Sequence, residues 1–181
     1  MKKLKIGPGD HYVTQRKDLI IVTVLGSCVA ACIRDPVAGV GGMNHFMLPE
    51  SDTGTWGGAS ANMRYGNYAM EALINDILLQ GGQRRRLEIK VFGGARMIAS
   101  GAAIGHQNAA FVESYLNAEG MAIAAQHLRG MHARRVEYQP ANGCVQMLEM
   151  PTDRTRVAKV EQAFSETIRA HQDSGSVELF D

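Results

Sequence analysis

Three short apolar runs follow one another between Leu19 and Pro49, with only turn residues between them. LIIVTVL (19–25) is rich in β-branched residues and leads into Gly26-Ser27; VAACI (29–33) stops at Arg34-Asp35-Pro36; MNHFML (43–48) stops at Pro49. Each run is too short for an ordinary helix and apolar nearly throughout, so each reads as a buried strand. Strands buried on both faces need a layer of structure on either side, which a chain of 181 residues is long enough to supply within one domain, 1–181.

The rest of the chain adds helices and more strands. Residues 1–18 are polar, with Gly7-Pro8-Gly9-Asp10 as a turn and Tyr12-Val13 as a short edge strand. Residues 62–80 have helical spacing, with Met63, Tyr65, Met70, Leu73, Ile74, Ile77 and Leu78 on one apolar side and Gly81-Gly82 at the end. A strand is expected over 87–92, a helix over 108–119 with Ala110, Phe111, Tyr115 and Leu116 inward, and a strand over 121–128. Residues 133–139 and 144–150 form a hairpin around Asn142-Gly143. An amphipathic helix over 157–171 carries Val160, Phe164 and Ile168 at a spacing of four. Strands and helices do not alternate strictly, which makes the fold α+β, or a mixed α/β sandwich.

The chemistry concentrates on Cys28 and His45. Asp35-Pro36-Val37-Ala38-Gly39 joins their two runs, which places Cys28 near one end of the first strand and His45 near the middle of the second. A thiol beside an imidazole suits covalent hydrolysis of an amide or ester: the thiolate attacks carbon, and the imidazole takes a proton and returns it to the leaving group. Gly26 and Ser27 allow a tight approach of backbone, so that amide N–H groups near Cys28 face a developing oxyanion. Weighed against this, a small thiol in an apolar run is commonly core. Cys28 is expected to be the cysteine needed for turnover and the one alkylated fastest; Cys32 is read as core. On a strand those two lie about 13 Å apart at roughly 3.3 Å per residue, too far to share a metal ion.

Other features exclude more than they suggest. A formal charge of +1 gives no pull toward nucleic acid or anionic lipid. No run is long enough to span a membrane, and no hydrophobic region follows the basic Met1–Lys5 segment as it would in a secretory leader. Three cysteines cannot all pair, which fits a reducing cytoplasm. Gly93-Gly94 after a strand lacks the Walker lysine and a full dinucleotide fingerprint, so it reads as a tight turn with no nucleotide; no cofactor or metal is implied. Arg84-Arg85-Arg86 reads as a solvated face. The Gly-rich loop over 50–61, with Trp56, either contacts substrate or folds back as a lid.

LGSCVAACIRDPVAGVGGMNHFMLP (25–49) resembles the signature of the CheD family, the chemoreceptor glutamine deamidases of bacterial chemotaxis. KVFGGA (90–95), Ile104-Gly105 with Asn108, and VELF (177–180) agree, so the resemblance runs from about Gly7 to the C-terminus. It implies a sandwich of mixed sheet layers with helices packed outside. It also implies Cys28 as nucleophile, His45 as base, and a threonine just upstream of the cysteine as third member. Thr23 is the candidate; some members carry the threonine one residue further upstream, where this chain has Val22, and on a strand one residue changes the face. The implied substrates are glutamine side chains in the cytoplasmic helical region of chemoreceptors, and glutamate methyl esters on the same proteins. A CheC-type phosphatase is the implied partner. The alternative is a non-catalytic binding module that regulates such a phosphatase.

Overall fold

The computed structural model describes residues 1–48, 59–97, 104–150 and 154–173, with backbone alone at 59–62, 154–155 and 169–173. Trp56 and the VELF segment lie outside the described residues. Nine strands form two sheets among the described residues. In the first, the order is β1 (Lys2–Lys5), β3 (Leu19–Leu25), β8 (Ala133–Gln139), β9 (Cys144–Met150). In the second it is β2 (His11–Thr14), β5 (Val40–Asn44), β4 (Val29–Asp35), β6 (Glu88–Gly93), β7 (Ile123–Leu128). The β1–β3 and β6–β7 pairs are parallel and the others antiparallel. Both sheets are mixed, and the fold is the α+β sandwich expected.

The middle strand shows how side-chain alternation builds two cores. On β4, Val29, Ala31 and Ile33 pack with Met70, Leu73 and Ile77 of α1 (Ala59–Leu79) and with Phe111, Val112 and Leu116 of α2 (Ile104–Ala118). The intervening Cys28, Ala30 and Cys32 turn to the other side and meet Ile21, Leu25, Val136 and Tyr138 of the facing sheet. A two-residue period sends successive side chains to opposite faces, so a strand buried on both sides reads as unbroken apolar sequence. The layers are sheet, sheet, then the α1–α2 pair.

Three expectations change. The polar start of the chain holds a strand, β1: KKLK is a short edge strand whose lysines are exposed, and it carries no apolar alternation. Met63 on α1 is exposed, and on α2 it is Ala109 that is buried while Ala110 is only half-buried. The C-terminal helix α3 (Arg154–Asp173) leaves Val160 exposed and buries Val157, Ala158, Glu161, Ser165 and Ile168.

The β4–β5 turn is pinned by a charge. Asp35 is fully buried and accepts hydrogen bonds from the N–H groups of Val37, Ala38 and Gln83, while Arg86 approaches to 2.7 Å. One of the three arginines expected to be solvated is therefore structural. Burial alone would raise the Asp35 carboxyl, but Arg86 and the three N–H groups outweigh it and hold it well below the usual carboxylate range. Asp35→Ala should cost about 3 kcal/mol in urea unfolding, the usual scale for breaking a buried pair. Because the folded carboxyl is depressed, its contribution is complete above the unfolded value of about 4 and fades as the pH falls below it. An Asp35→Ala protein with wild-type stability at neutral pH would overturn this role.

Candidate active site

Cys28 precedes the first residue of β4, and the Val29–Phe46 bridge brings the two segments together just beyond the strand ends. His45 is not mid-strand as expected. β5 starts earlier, at Val40, and runs through Gly41-Gly42 to Asn44; His45 is the next residue. Gly42 is needed there, because a Cβ would come within 2.3 Å of the Tyr12 carbonyl on the neighbouring strand. Past the strand, His45 is held by its own backbone: its N–H donates to Asp10 O at 2.9 Å and its carbonyl accepts from Gly9 N at 2.8 Å.

Thr23 reaches His45 from the opposite sheet. On β3, Ile21, Thr23 and Leu25 share the face between the sheets, so the adjacent Val22 is not on it. The Thr23 hydroxyl has one proton, and Oγ1 lies 3.0 Å from Ile6 O and 2.7 Å from His45 Nδ1. Ile6 O can only accept, so the hydroxyl donates to it and accepts from Nδ1–H. That fixes the imidazole tautomer and leaves the Nε2 lone pair free; Nε2 is buried with no hydrogen-bond partner among the described residues. A free imidazole nitrogen beside a thiol is the arrangement a general base requires.

The turn before Cys28 is a donor nest. Its carbonyls are tied on one side: Gly26 O by Ala95 N at 2.8 Å, Ser27 O by Asn108 Nδ2 at 2.9 Å, and Cys28 O by Gly94 N at 2.8 Å. Their N–H groups face the other way and converge. Gly93 lies so close behind that a Cβ would meet Cys28 O at 2.1 Å, and its φ of 117° is one that side chains rarely adopt. Asn108 also accepts from Leu48 N at 2.8 Å, which joins the cysteine turn to the chain beyond His45.

A fourth residue, unforeseen from sequence, fills the nest. The Glu161 carboxylate of α3 accepts from Gly26 N (2.9 Å) and Cys28 N (3.1 Å) on one oxygen, and from Ser27 N (2.9 Å) and Ser27 Oγ (2.6 Å) on the other. Cys28 Sγ, a ring nitrogen of His45 and a carboxylate oxygen of Glu161 lie within 4.8 Å of one another. Thiolate, imidazole and carboxylate are a donor set a zinc ion accepts. Four N–H and O–H donors already engage the carboxylate, however, so the pocket is arranged for an anion.

Burial governs protonation. Burial first, and then the Glu161 carboxylate, push the Cys28 thiol well above its ordinary range. Burial lowers His45 to about 4, against the partial opposition of Glu161 and Asp10. The pair rests as neutral thiol and neutral imidazole. Cys28 and Cys32 are buried and Cys144 is exposed, so in this state a reagent meets Cys144 first, contrary to the expectation that Cys28 is alkylated fastest.

A family model described as CheD chemotactic sensory transduction matches residues 47–149. A protein of Rhodopseudomonas palustris (strain BisA53), described as a probable chemoreceptor glutamine deamidase CheD, is 57% identical over 178 residues, covering 98% of this chain and 84% of that one. The chain belongs to the CheD family. CheD proteins of the same description from Herminiimonas arsenicoxydans (48% over 180 residues, 97% of this chain and 88% of that one) and Cupriavidus pinatubonensis (51% over 170 residues, 91% and 78%) agree.

In this CheD chain the sheet pairings bring Cys28, His45 and Thr23 together, and Gly93, Gly94 and Asn108 back the turn. His45 should titrate near pH 4 in the folded protein, against about 6.5 unfolded. The unfolded chain then binds more protons across that window, so stability should fall as the pH drops from about 6.5 to about 4. Following the His45 imidazole resonances by NMR checks the value; a midpoint at or above 6.5 would contradict the burial argument.

Proposed function

We propose that this chain is a chemoreceptor glutamine deamidase with Cys28 as nucleophile, His45 as general base and Thr23 as the residue that orients His45. Membership of the CheD family supports the reaction and the substrate class. The observation that carries the residue roles is the Thr23–His45 contact, which leaves Nε2 unprotonated on an imidazole with a ring nitrogen within 4.8 Å of Cys28 Sγ.

His45 Nε2 takes the Cys28 proton as Sγ attacks the amide carbon of a glutamine side chain. The oxyanion falls where the Gly26, Ser27 and Cys28 N–H groups converge. Removing one such donor typically costs about a hundredfold to a thousandfold in rate. The proton on His45 goes to the departing ammonia, leaving a thioester. Water, deprotonated by the freed imidazole, then releases glutamate and regenerates the thiol. Hydrolysis of a glutamate methyl ester passes through the same thioester with methanol as leaving group.

The substrate region is the cytoplasmic helical part of chemoreceptors, with glutamine presented on protein. The finer assignments that go with this reading are residues 1–181 as one deamidase domain, a cytoplasmic location, and a CheC-type phosphatase as binding partner. Among the described residues no helix is long and apolar enough to cross a membrane.

Incubation with a receptor cytoplasmic fragment should add about one dalton for each glutamine converted to glutamate, the mass change of amide hydrolysis by acyl transfer. Cys28→Ala should abolish it, and His45→Ala should lower it about a hundredfold or more. Thr23→Val keeps the shape and removes the hydroxyl, so the loss should be smaller. Full conversion by Cys28→Ala would end this reading, as would rapid release of ammonia from free glutamine for the substrate class.

A further inference from the structure

A nucleophile must be reached by its substrate, and here it is not. Cys28 is 0% exposed and His45 2%, although the substrate is another protein's side chain. What stands in the way is α3. Val157 and the Glu161 carboxylate press on Gly26, where even a Cβ would come within 3.0 Å of both. Phe164 packs against Gly9 on the loop that holds His45. Ala158 and Ser165, on the same face as Glu161, are small, which lets the helix backbone approach the turn closely.

The centre of this face is the wrong residue for packing. A glutamate 2% exposed is costly to bury unless its charge is fully met. Glu161 is met, but by the donors that serve an oxyanion: three consecutive backbone N–H groups ending at the nucleophile's own. A glutamate side chain is also the product of glutamine deamidation. It is held on a helix, with a carboxylate oxygen within 4.8 Å of Cys28 Sγ. Beside it, a cavity of ≈ 300 Å³ bounded by Lys5, Thr23, His45, Arg156, Val157 and Val160 leaves this side of α3 incompletely packed.

We propose that α3 is a built-in product mimic: Glu161 occupies the position of the reacting side chain, α3 fills the groove a receptor helix enters, and turnover requires its displacement. This rests on the deamidase reading of the site. The chain then carries its own competitor for the receptor, and the groove is fitted to a helix presenting one glutamine or glutamate between small residues.

The test uses the full chain with four substitutions and three readouts. Glu161→Ala withdraws the carboxylate, and Phe164→Ser loosens α3 away from the nest. If the open form is a minor state of at most roughly a tenth, both should speed iodoacetamide labelling of Cys28 and deamidation of a receptor fragment by about tenfold or more. Glu161→Gln puts an amide where the carboxylate sits. Cys28 should attack it and expel ammonia, and water should then hydrolyse the thioester to restore glutamate at position 161, gaining about one dalton in the tryptic peptide. Adding Cys28→Ala should leave the introduced glutamine intact.

Unchanged Cys28 labelling in folded Glu161→Ala and Phe164→Ser proteins would overturn the proposal. So would persistence of the introduced amide in a Glu161→Gln protein that still deamidates the receptor fragment. Failure of the deamidase reading looks different: no variant converts the fragment and the Glu161→Gln amide stays intact, while faster labelling of Cys28 still supports α3 as the cover of the site.

Discussion

Three successive carbonyls are tied down behind Cys28, and the rest of the site depends on that. In a trans peptide the carbonyl of one residue and the N–H of the next point opposite ways in one plane, so fixing the Gly26 and Ser27 carbonyls to Ala95 and Asn108 sets the direction of the Ser27 and Cys28 N–H groups, and fixing the Cys28 carbonyl to Gly94 sets that of Val29 N–H, which donates to Phe46 O. The ties come from a strand end and a helix start that are remote in sequence. A nest organised in this way needs no rearrangement when charge develops on a substrate oxygen, which is the condition for electrostatic stabilisation to lower a barrier.

The histidine side is organised by a different layer. Ile6 O, Thr23 Oγ1 and His45 Nδ1 form a short relay across the gap between the sheets. Its first member follows β1, which runs parallel to β3 and fixes the position of the Ile6 carbonyl through Ile6 N→Val22 O at 3.0 Å. An N-terminal strand with little apolar content thus sets the tautomer of a buried imidazole. Cys28 and His45 both stand at strand ends of the five-stranded sheet, before β4 and after β5, and Thr23 meets His45 from the four-stranded sheet because β3 and β4 bury one face in the same core.

Much of this is legible in the sequence because residue type and period agree. Three apolar runs report buried strands; Asn142-Gly143 reports the hairpin; and Thr23 shares a face with Ile21 and Leu25 by simple alternation. The position of His45 is harder to read because Gly41-Gly42 resembles a turn, whereas here the glycines are strand residues, Gly42 letting β2 come close and Gly41 letting β4 do so. Glu161 is not legible at all. In a helix whose apolar residues include Val160, Phe164 and Ile168, a glutamate reads as a solvent residue, and Val160 is in fact 53% exposed. Only the long-range contact with residues 26–28 reveals which way the helix is turned. Gly93, Gly94 and Asn108 stand out as family features, but Gly94 and Asn108 serve to hold carbonyls and Gly93 to leave room for one, which no local pattern encodes.

The burial of Cys28 also bears on its survival between encounters. Peroxide attacks thiolates that it can touch, and a thiol kept protonated and out of solvent offers neither the charge nor the access. Sulfinic and sulfonic acids are dead ends for a thiol that must regenerate after every cycle, as the role proposed for Cys28 requires. Cys144, exposed on β9, is the thiol an oxidant finds first. On the proposal that α3 covers the site between turnovers, the sulfur meets oxidants only while the helix is displaced, and a covered site ages slowly.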